Sequence, residues 1–170
     1  MKLTQLIQFD LIQFNFSAKD KKEALDKLTS MLVKKGIIKD RDEFLNALLE
    51  REGLSTTGVG DGIAIPHAKA SCFEKAMIIY AKSDDGVEWE SFDNQPAKHI
   101  FMICAPANGA DEHLKALATL STALMKPEVK AGLDKASTKE EVKTIFDDFV
   151  KSTEEVKEEP KESTGGDKKY

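Results

Sequence analysis

The chain has 170 residues, a formal net charge of -5 and a pI near 5.3. That length suits one domain of the usual ~100–200 residues, and the acidity argues against a nucleic-acid binder, which needs a surplus of clustered lysine and arginine. Apolar residues at 41% and charged residues at 32% fit a soluble globular composition; no run approaches the ~20 consecutive apolar residues of a spanning helix, and the start, Met1-Lys2-Leu3-Thr4-Gln5-Leu6, lacks the layout of a secretory leader, so a bacterial-type cytoplasmic protein is expected.

In chain order, the segment up to Phe16 alternates Leu11, Gln13 and Asn15 with Ile12, Phe14 and Phe16, which predicts a strand. Ser17 then begins a helix, with Ser17-Ala18-Lys19-Asp20 as its cap and the acidic side chain meeting free N–H groups. Its apolar face is Ala24, Leu25, Leu28, Leu32 and Val33, and Gly36 stops it. Asp40 caps a second helix with Phe44, Leu45, Leu48 and Leu49 on its inner face, ending around Arg51-Glu52-Gly53. Gly53 to Gly62 reads as a glycine- and hydroxyl-rich loop; Ile63-Ala64-Ile65 is a short apolar run closed by Pro66, which cannot donate to a sheet ladder.

Ala76–Ala81 and Ile100–Ala105 are apolar throughout and predict central strands buried on both faces. Between them Asp84-Asp85-Gly86 predicts a turn, and Val87, Trp89 and Phe92 an edge strand. A third long helix is expected from Asp111 to Met125, with Leu114, Leu117, Ala118, Leu120, Ser121 and Leu124 inside. Two shorter helices follow, Pro127 to about Ala136 and Ser137/Thr138 to about Val150, the latter with a capping, acidic first turn. This order predicts one α/β layered domain over residues 1–150, a central mixed sheet flanked by helices. Residues 151–170 hold almost no large apolar side chains, so they are expected to form a disordered charged tail or a linker. No internal repeat is visible.

Three histidines carry the candidate chemistry. His67 follows Ile65-Pro66 at the end of a strand, where ligand sites gather in α/β sheets, and a neutral imidazole is a competent nucleophile near neutral pH. His113 lies in the first turn of the third long helix, where free N–H groups and positive potential favour a phosphoryl group. Arg51 ends a helix directly before the glycine-rich loop; a guanidinium fork can clamp phosphate oxygens. Each also has an ordinary reading: an incidental loop histidine, a cap-region histidine, and an arginine meeting the helix dipole. His99, at the start of an apolar strand, reads as structural. Cys72 and Cys104, far apart among small and apolar neighbours, read as free thiols without function, not as a disulfide or metal pair.

Other chemistries lack their parts. Gly58-Val59-Gly60-Asp61-Gly62 precedes a strand, and no Gly-Lys-Ser/Thr follows, so it is no nucleotide fingerprint. The paired histidines or Cys/His cluster of a zinc enzyme and the strand–Ser–helix elbow of a serine hydrolase are missing from the sequence.

Four ordered segments together resemble the enzyme IIA domain of the fructose/mannitol class of the bacterial phosphoenolpyruvate-dependent sugar phosphotransferase system. They are Arg51-Glu52-Gly53-Leu54-Ser55-Thr56-Thr57-Gly58-Val59-Gly60, Gly62-Ile63-Ala64-Ile65-Pro66-His67, Gly86-Val87-Glu88-Trp89 and Asp111-Glu112-His113-Leu114. The resemblance spans about residues 3–150 and is strongest to the fructose type. It implies a mixed sheet flanked by helices and a phosphotransferase with a phosphohistidine intermediate. It implies that His67 accepts a phosphoryl group on Nε2 from the histidine-containing phosphocarrier protein and passes it to a cysteine of an enzyme IIB domain, with a membrane IIC permease as a further partner. His113 would hydrogen-bond the phosphoryl oxygens and Arg51 would neutralise their charge; no cofactor and no metal is implied. Two departures are small: Ala68 stands where many relatives have glycine, and Thr56-Thr57 alters the common Ser-Thr-Gly run. Ile63, Ile65 and the loop around Leu54 are expected to form an apolar docking rim. Two other readings remain: a regulatory, nitrogen-type enzyme IIA, and, more weakly, a metal-dependent hydrolase.

Overall fold

The computed structural model describes residues 2–108 and 112–162, without the side chains of Glu112 and of residues 155–162. Its helices are α1 (Leu3–Leu6), α2 (Lys21–Lys34), α3 (Arg41–Leu54), α4 (Glu112–Leu124), α5 (Pro127–Lys135) and α6 (Lys139–Glu162), with a 3-10 turn at Phe9–Leu11. Its strands are β1 (Gly58–Gly60), β2 (Ile63–Ala64), β3 (His67–Ala70), β4 (Met77–Val87) and β5 (Ala97–Pro106).

The two apolar runs form the long strands of a mixed five-stranded sheet, β5 in its middle and β4 along one side. β4 and β5 pair antiparallel, Met77 opposite Cys104 and Lys82 opposite His99. On its other edge β5 carries β2 and β3, both parallel and in one register: Ile63 faces His99, Ala64 faces Ile100 and His67 faces Ile103. β2 and β3 are thus one strand interrupted at Ile65-Pro66. Pro66 has no N–H to give, but its carbonyl accepts the Ile103 N–H at 2.9 Å, so the ladder survives the break.

Side chains alternate across a strand, and here they sort into two apolar layers. Ile78, Tyr80, Phe101 and Ile103 face Leu6, Leu120, Leu133 and Phe146 from α1, α4, α5 and α6. Ile79, Ala81, Ile100, Met102 and Cys104 face Leu25, Leu28, Phe44 and Leu48 from α2 and α3. Burial on both faces explains why these strands read as unbroken apolar runs. The α/β class, the central mixed sheet and the flanking helices are as expected.

Several local expectations are corrected. The N-terminal segment is not a regular strand: α1 and the 3-10 turn occupy it, and it pairs with β4 through isolated bridges, Ile7–Ile78 and Gln13–Ala81, and a bond from Phe16 N to Lys82 O. Its Gln13 N–H donates to Tyr80 O and its Gln13 carbonyl accepts from Lys82 N, so it screens the β4 edge without joining the sheet. α2 begins at Lys21, not at Ser17, because the capping acceptor is Asp20, which takes the Glu23 N–H at 2.9 Å. Asp40 caps α3 in the same way, at 3.0 Å from Glu43 N. Gly36, at φ +76°, follows the end of α2.

No turn breaks β4 at Asp84–Gly86; the strand runs on through a register irregularity between Lys82 and Val87. Gly86 sits there at φ +84°, and a Cβ would lie 2.7 Å from the Pro96 ring, so glycine serves a bulge. Trp89 and Phe92 lie outside the named strands; Trp89 is buried and Phe92 exposed. In α4 the inward side chains are Ala116, Leu120, Ala123 and Leu124, with Leu117 half-buried against the same layer, while Leu114 and Ala118 are exposed. Thr138 and Glu141 form a reciprocal cap at the start of α6. That helix continues to Glu162, through the boundary expected at 150 and into the stretch read as a tail; residues 163–170 lie outside the described residues. No helix among the described residues is long and apolar enough to cross a membrane.

Candidate functional site

His67 is not a loop residue: it opens β3, immediately after the proline break, and is half-buried. The break lets its side chain turn back on its own backbone, where Nδ1 lies 2.8 Å from the Ile65 carbonyl. A carbonyl only accepts, so Nδ1 carries the proton and Nε2 keeps its lone pair. That is the tautomer of an Nε2 nucleophile.

α4 delivers His113 in its first turn, and the two imidazole centroids stand 6.2 Å apart with their planes inclined by 31°. The Nδ1 of His113 is enclosed and has no hydrogen-bond partner among the described residues. Arg51, in the last turn of α3, donates from Nη1 to the Ser55 carbonyl at 2.8 Å, which satisfies a helix-end carbonyl side and folds the guanidinium over the loop. Its positive charge reaches His67. The structure therefore brings His67 and His113 together with the charge of Arg51. It leaves His99 elsewhere: that ring is buried, its Nδ1 2.6 Å from the Tyr80 hydroxyl and its Nε2 2.7 Å from Asp134 Oδ1, an internal tie between sheet and α5.

Electrostatics favour a neutral imidazole. Burial depresses the His67 pKa, the Ile65 carbonyl and Glu52 pull it up, and Arg51 pushes it further down; the net direction is below the ordinary value of 6.5. Burial, Lys69 and His67 lower His113 likewise, and burial lowers His99 despite Asp134. Between the depressed folded values and ~6.5 the unfolded chain binds more protons, so stability rises with pH through that window and falls on acidification. NMR titration of the ring protons should place the His67 midpoint below 6.5; a midpoint above that value would contradict this environment.

Sequence reasoning missed what holds the site. Glu52 is buried beside Arg51 and is bonded to Lys21 and Thr57. An acidic residue in the last turn of a helix opposes the dipole, and that misplacement was the available signal. Lys69, exposed on β3 two positions after His67, adds a second cation that acts on His113. The expected rim is also revised. Ile63 and Ile65 are buried, lining the floor of a cleft of about 660 Å³ with Val59, Leu124 and Met125, whereas Leu54, Val59, Phe92, Leu114 and Met125 are the large exposed apolar side chains among the described residues. Cys72 and Cys104 are free thiols, and burial pushes both up. Among the described residues no group of three or more His, Cys, Asp or Glu side chains is placed to hold a metal ion.

Comparison with known proteins gives this arrangement a family. The chain is 39% identical over 151 residues to the fructose-specific EIIABC component of the PTS system of Bacillus subtilis (strain 168), covering 89% of this chain but only 24% of that protein. It is 38% identical over 148 residues to the fructose-specific EIIA component of Haloferax volcanii, covering 87% of this chain and 96% of that one. A nitrogen regulatory protein of Bradyrhizobium diazoefficiens is 36% identical over 124 residues, covering 73% and 80%. Among solved structures, the complex of enzyme IIAMTL and phosphorylated enzyme IIBMTL from Escherichia coli matches with a TM-score of 0.68 at 25% identity, over 83% of this chain and 98% of that one. The family described as phosphoenolpyruvate-dependent sugar phosphotransferase system, EIIA 2, matches residues 5–149, and the chain belongs to it.

Proposed function

We propose that the chain is a phosphoryl relay in fructose-type sugar uptake, with His67 accepting the group from the histidine-containing phosphocarrier protein and an enzyme IIB cysteine receiving it. The observation that carries this reading is the bond from His67 Nδ1 to the Ile65 carbonyl, which leaves Nε2 as the attacking atom. The Nε2 lone pair forms a bond to phosphorus as the donor's P–N bond breaks, and that electron pair leaves with the donor imidazole. In the second step the IIB thiolate attacks phosphorus, and the P–Nε2 bond returns its electrons to His67. Such transfers depend on in-line placement and charge stabilisation. His113 is close enough to hydrogen-bond a phosphoryl group on His67, and Arg51 neutralises its charge. The mannitol IIA neighbour, solved with phosphorylated enzyme IIB, supports the acceptor partner, and the fructose-specific relatives support sugar uptake. Such a relay works in the cytoplasm, against the inner side of a IIC permease.

The nitrogen regulatory relative favours a second reading, in which the phosphorylation state controls partner proteins. Incubating the chain with phosphoenolpyruvate, enzyme I and the phosphocarrier, then with a fructose IIB domain, separates the two. The transport reading expects one acid-labile phosphoryl group by intact mass, cleared when IIB is added. A phosphorylated chain that no sugar-specific IIB discharges would support regulation, and a chain that takes no phosphoryl group would end both.

A further inference from the structure

Glu52 has a side chain only 4% exposed, in the last turn of α3, where a carboxylate faces the negative end of the helix dipole. Burial there is tolerable only because donors surround it. Thr57 N–H donates to Oε2 at 3.2 Å, the Thr57 hydroxyl donates to Oε1, and Lys21 Nζ donates to Oε2 at 3.3 Å. Trp89 Nε1–H donates to Thr57 Oγ1 at 3.1 Å, so both polar ends of Thr57 are held. The Thr57 carbonyl in turn accepts the Ile65 N–H at 3.0 Å, and the Ile65 carbonyl holds His67 Nδ1. An unbroken path of hydrogen bonds thus runs from a buried carboxylate, through two backbone residues, to the imidazole.

We infer that Glu52 is a positioning residue for His67: by clamping Thr57 it fixes the Ile65 carbonyl that selects the Nδ1–H tautomer and leaves Nε2 free. This rests on the reading of His67 as the phosphoryl acceptor. The charge of Glu52 adds a second effect, since it opposes the pull of Arg51 on the His67 proton. Arg51 is needed close by for the phosphoryl oxygens, yet a bare guanidinium would make the imidazole a poorer nucleophile. Glu52, the next residue in the chain, offsets that from its buried position. Lys21 is the external anchor: burial disfavours its charge, but Glu90 and Glu52 hold its pKa above the ordinary lysine value.

The test is Glu52→Gln, which keeps an acceptor oxygen for Thr57 and loses the charge and one acceptor site. Nitrogen-15 NMR of His67 should show the Nδ1–H tautomer losing its dominance and the midpoint of its titration moving down. Single-turnover phosphoryl transfer should slow by about tenfold, as small misplacements of a reacting group do, while the KM for the phosphocarrier stays unchanged. An unaltered tautomer and midpoint in folded Glu52→Gln would overturn the inference, as would a rate lost only in proportion to unfolded protein. If that variant failed to fold, Thr57→Val removes the hydroxyl link, keeps the main-chain path, and faces the same readouts. The tautomer measurement needs no phosphorylation, so a wild-type chain that took no phosphoryl group would end the relay reading while the coupling of Glu52 to His67 stood or fell separately.

Discussion

Replacing His67 with alanine should abolish phosphoryl acceptance and leave the fold intact. The side chain is half-buried at the first residue of β3, and its one hydrogen bond among the described residues is to the carbonyl of Ile65. Losing such a bond costs about 0.5–1.5 kcal/mol, a shift of a few degrees in melting temperature for a domain of this size. The strand pairing of residue 67 with Ile103 uses backbone groups that alanine retains. The chemical loss is of another order, because nothing else at the site supplies a lone pair on an imidazole with a fixed tautomer. Intact mass after incubation with the phosphoryl donor chain should stay at that of the unmodified variant, a fall in rate of more than about 10³-fold. A His67→Ala protein that still carried an acid-labile phosphoryl group would remove His67 from the mechanism. His113→Ala is expected to fall between, about 10²–10³-fold slower, the usual cost of one donor to a developing anionic oxygen.

Phe101→Ala should cost about 3–5 kcal/mol, the usual range for a buried aromatic cut to alanine. Phe101 is fully buried on the central strand β5. Its ring stacks on Tyr80 with centroids 4.4 Å apart and planes within 8°, and meets Phe146 of α6 edge-on at 6.1 Å. Both neighbours are themselves fixed, Tyr80 by its hydroxyl on His99 and Phe146 by burial, so the cavity cannot readily collapse. Against a total stability of ~5–15 kcal/mol the loss should appear as a large fall in the urea midpoint at unchanged slope. A change under about 1 kcal/mol would mean that this layer repacks freely and that the two-layer account of the core is wrong.

The strands at 76–81 and 100–105 were legible because burial on both faces demands unbroken apolar runs, and the residues chosen do not depend on which strands become neighbours. Asp40 and Gly36 marked helix ends because capping is satisfied within a few residues. The N-terminal alternation misled: it reflects a segment lying half-buried along β4, with α1 and a 3-10 turn where a ladder was expected. Residues 151–162 carried two readings at once. Their Glu- and Lys-rich composition is that of a solvated tail, but the same residues are strong helix formers, and α6 extends into them.

His67, His113 and Arg51 were visible in the sequence as residue types beside a proline, a helix start and a helix end, and those local settings are set by the chain itself. That His67 begins a strand depended on the parallel register with β5, a pairing between segments 36 positions apart that local pattern does not encode. Only the tertiary structure joined Lys21, Glu52, Thr57 and Trp89 behind His67. Hydrogen bonds between residues distant in sequence leave no periodicity, and a buried carboxylate shows its partners only once the fold has enclosed it.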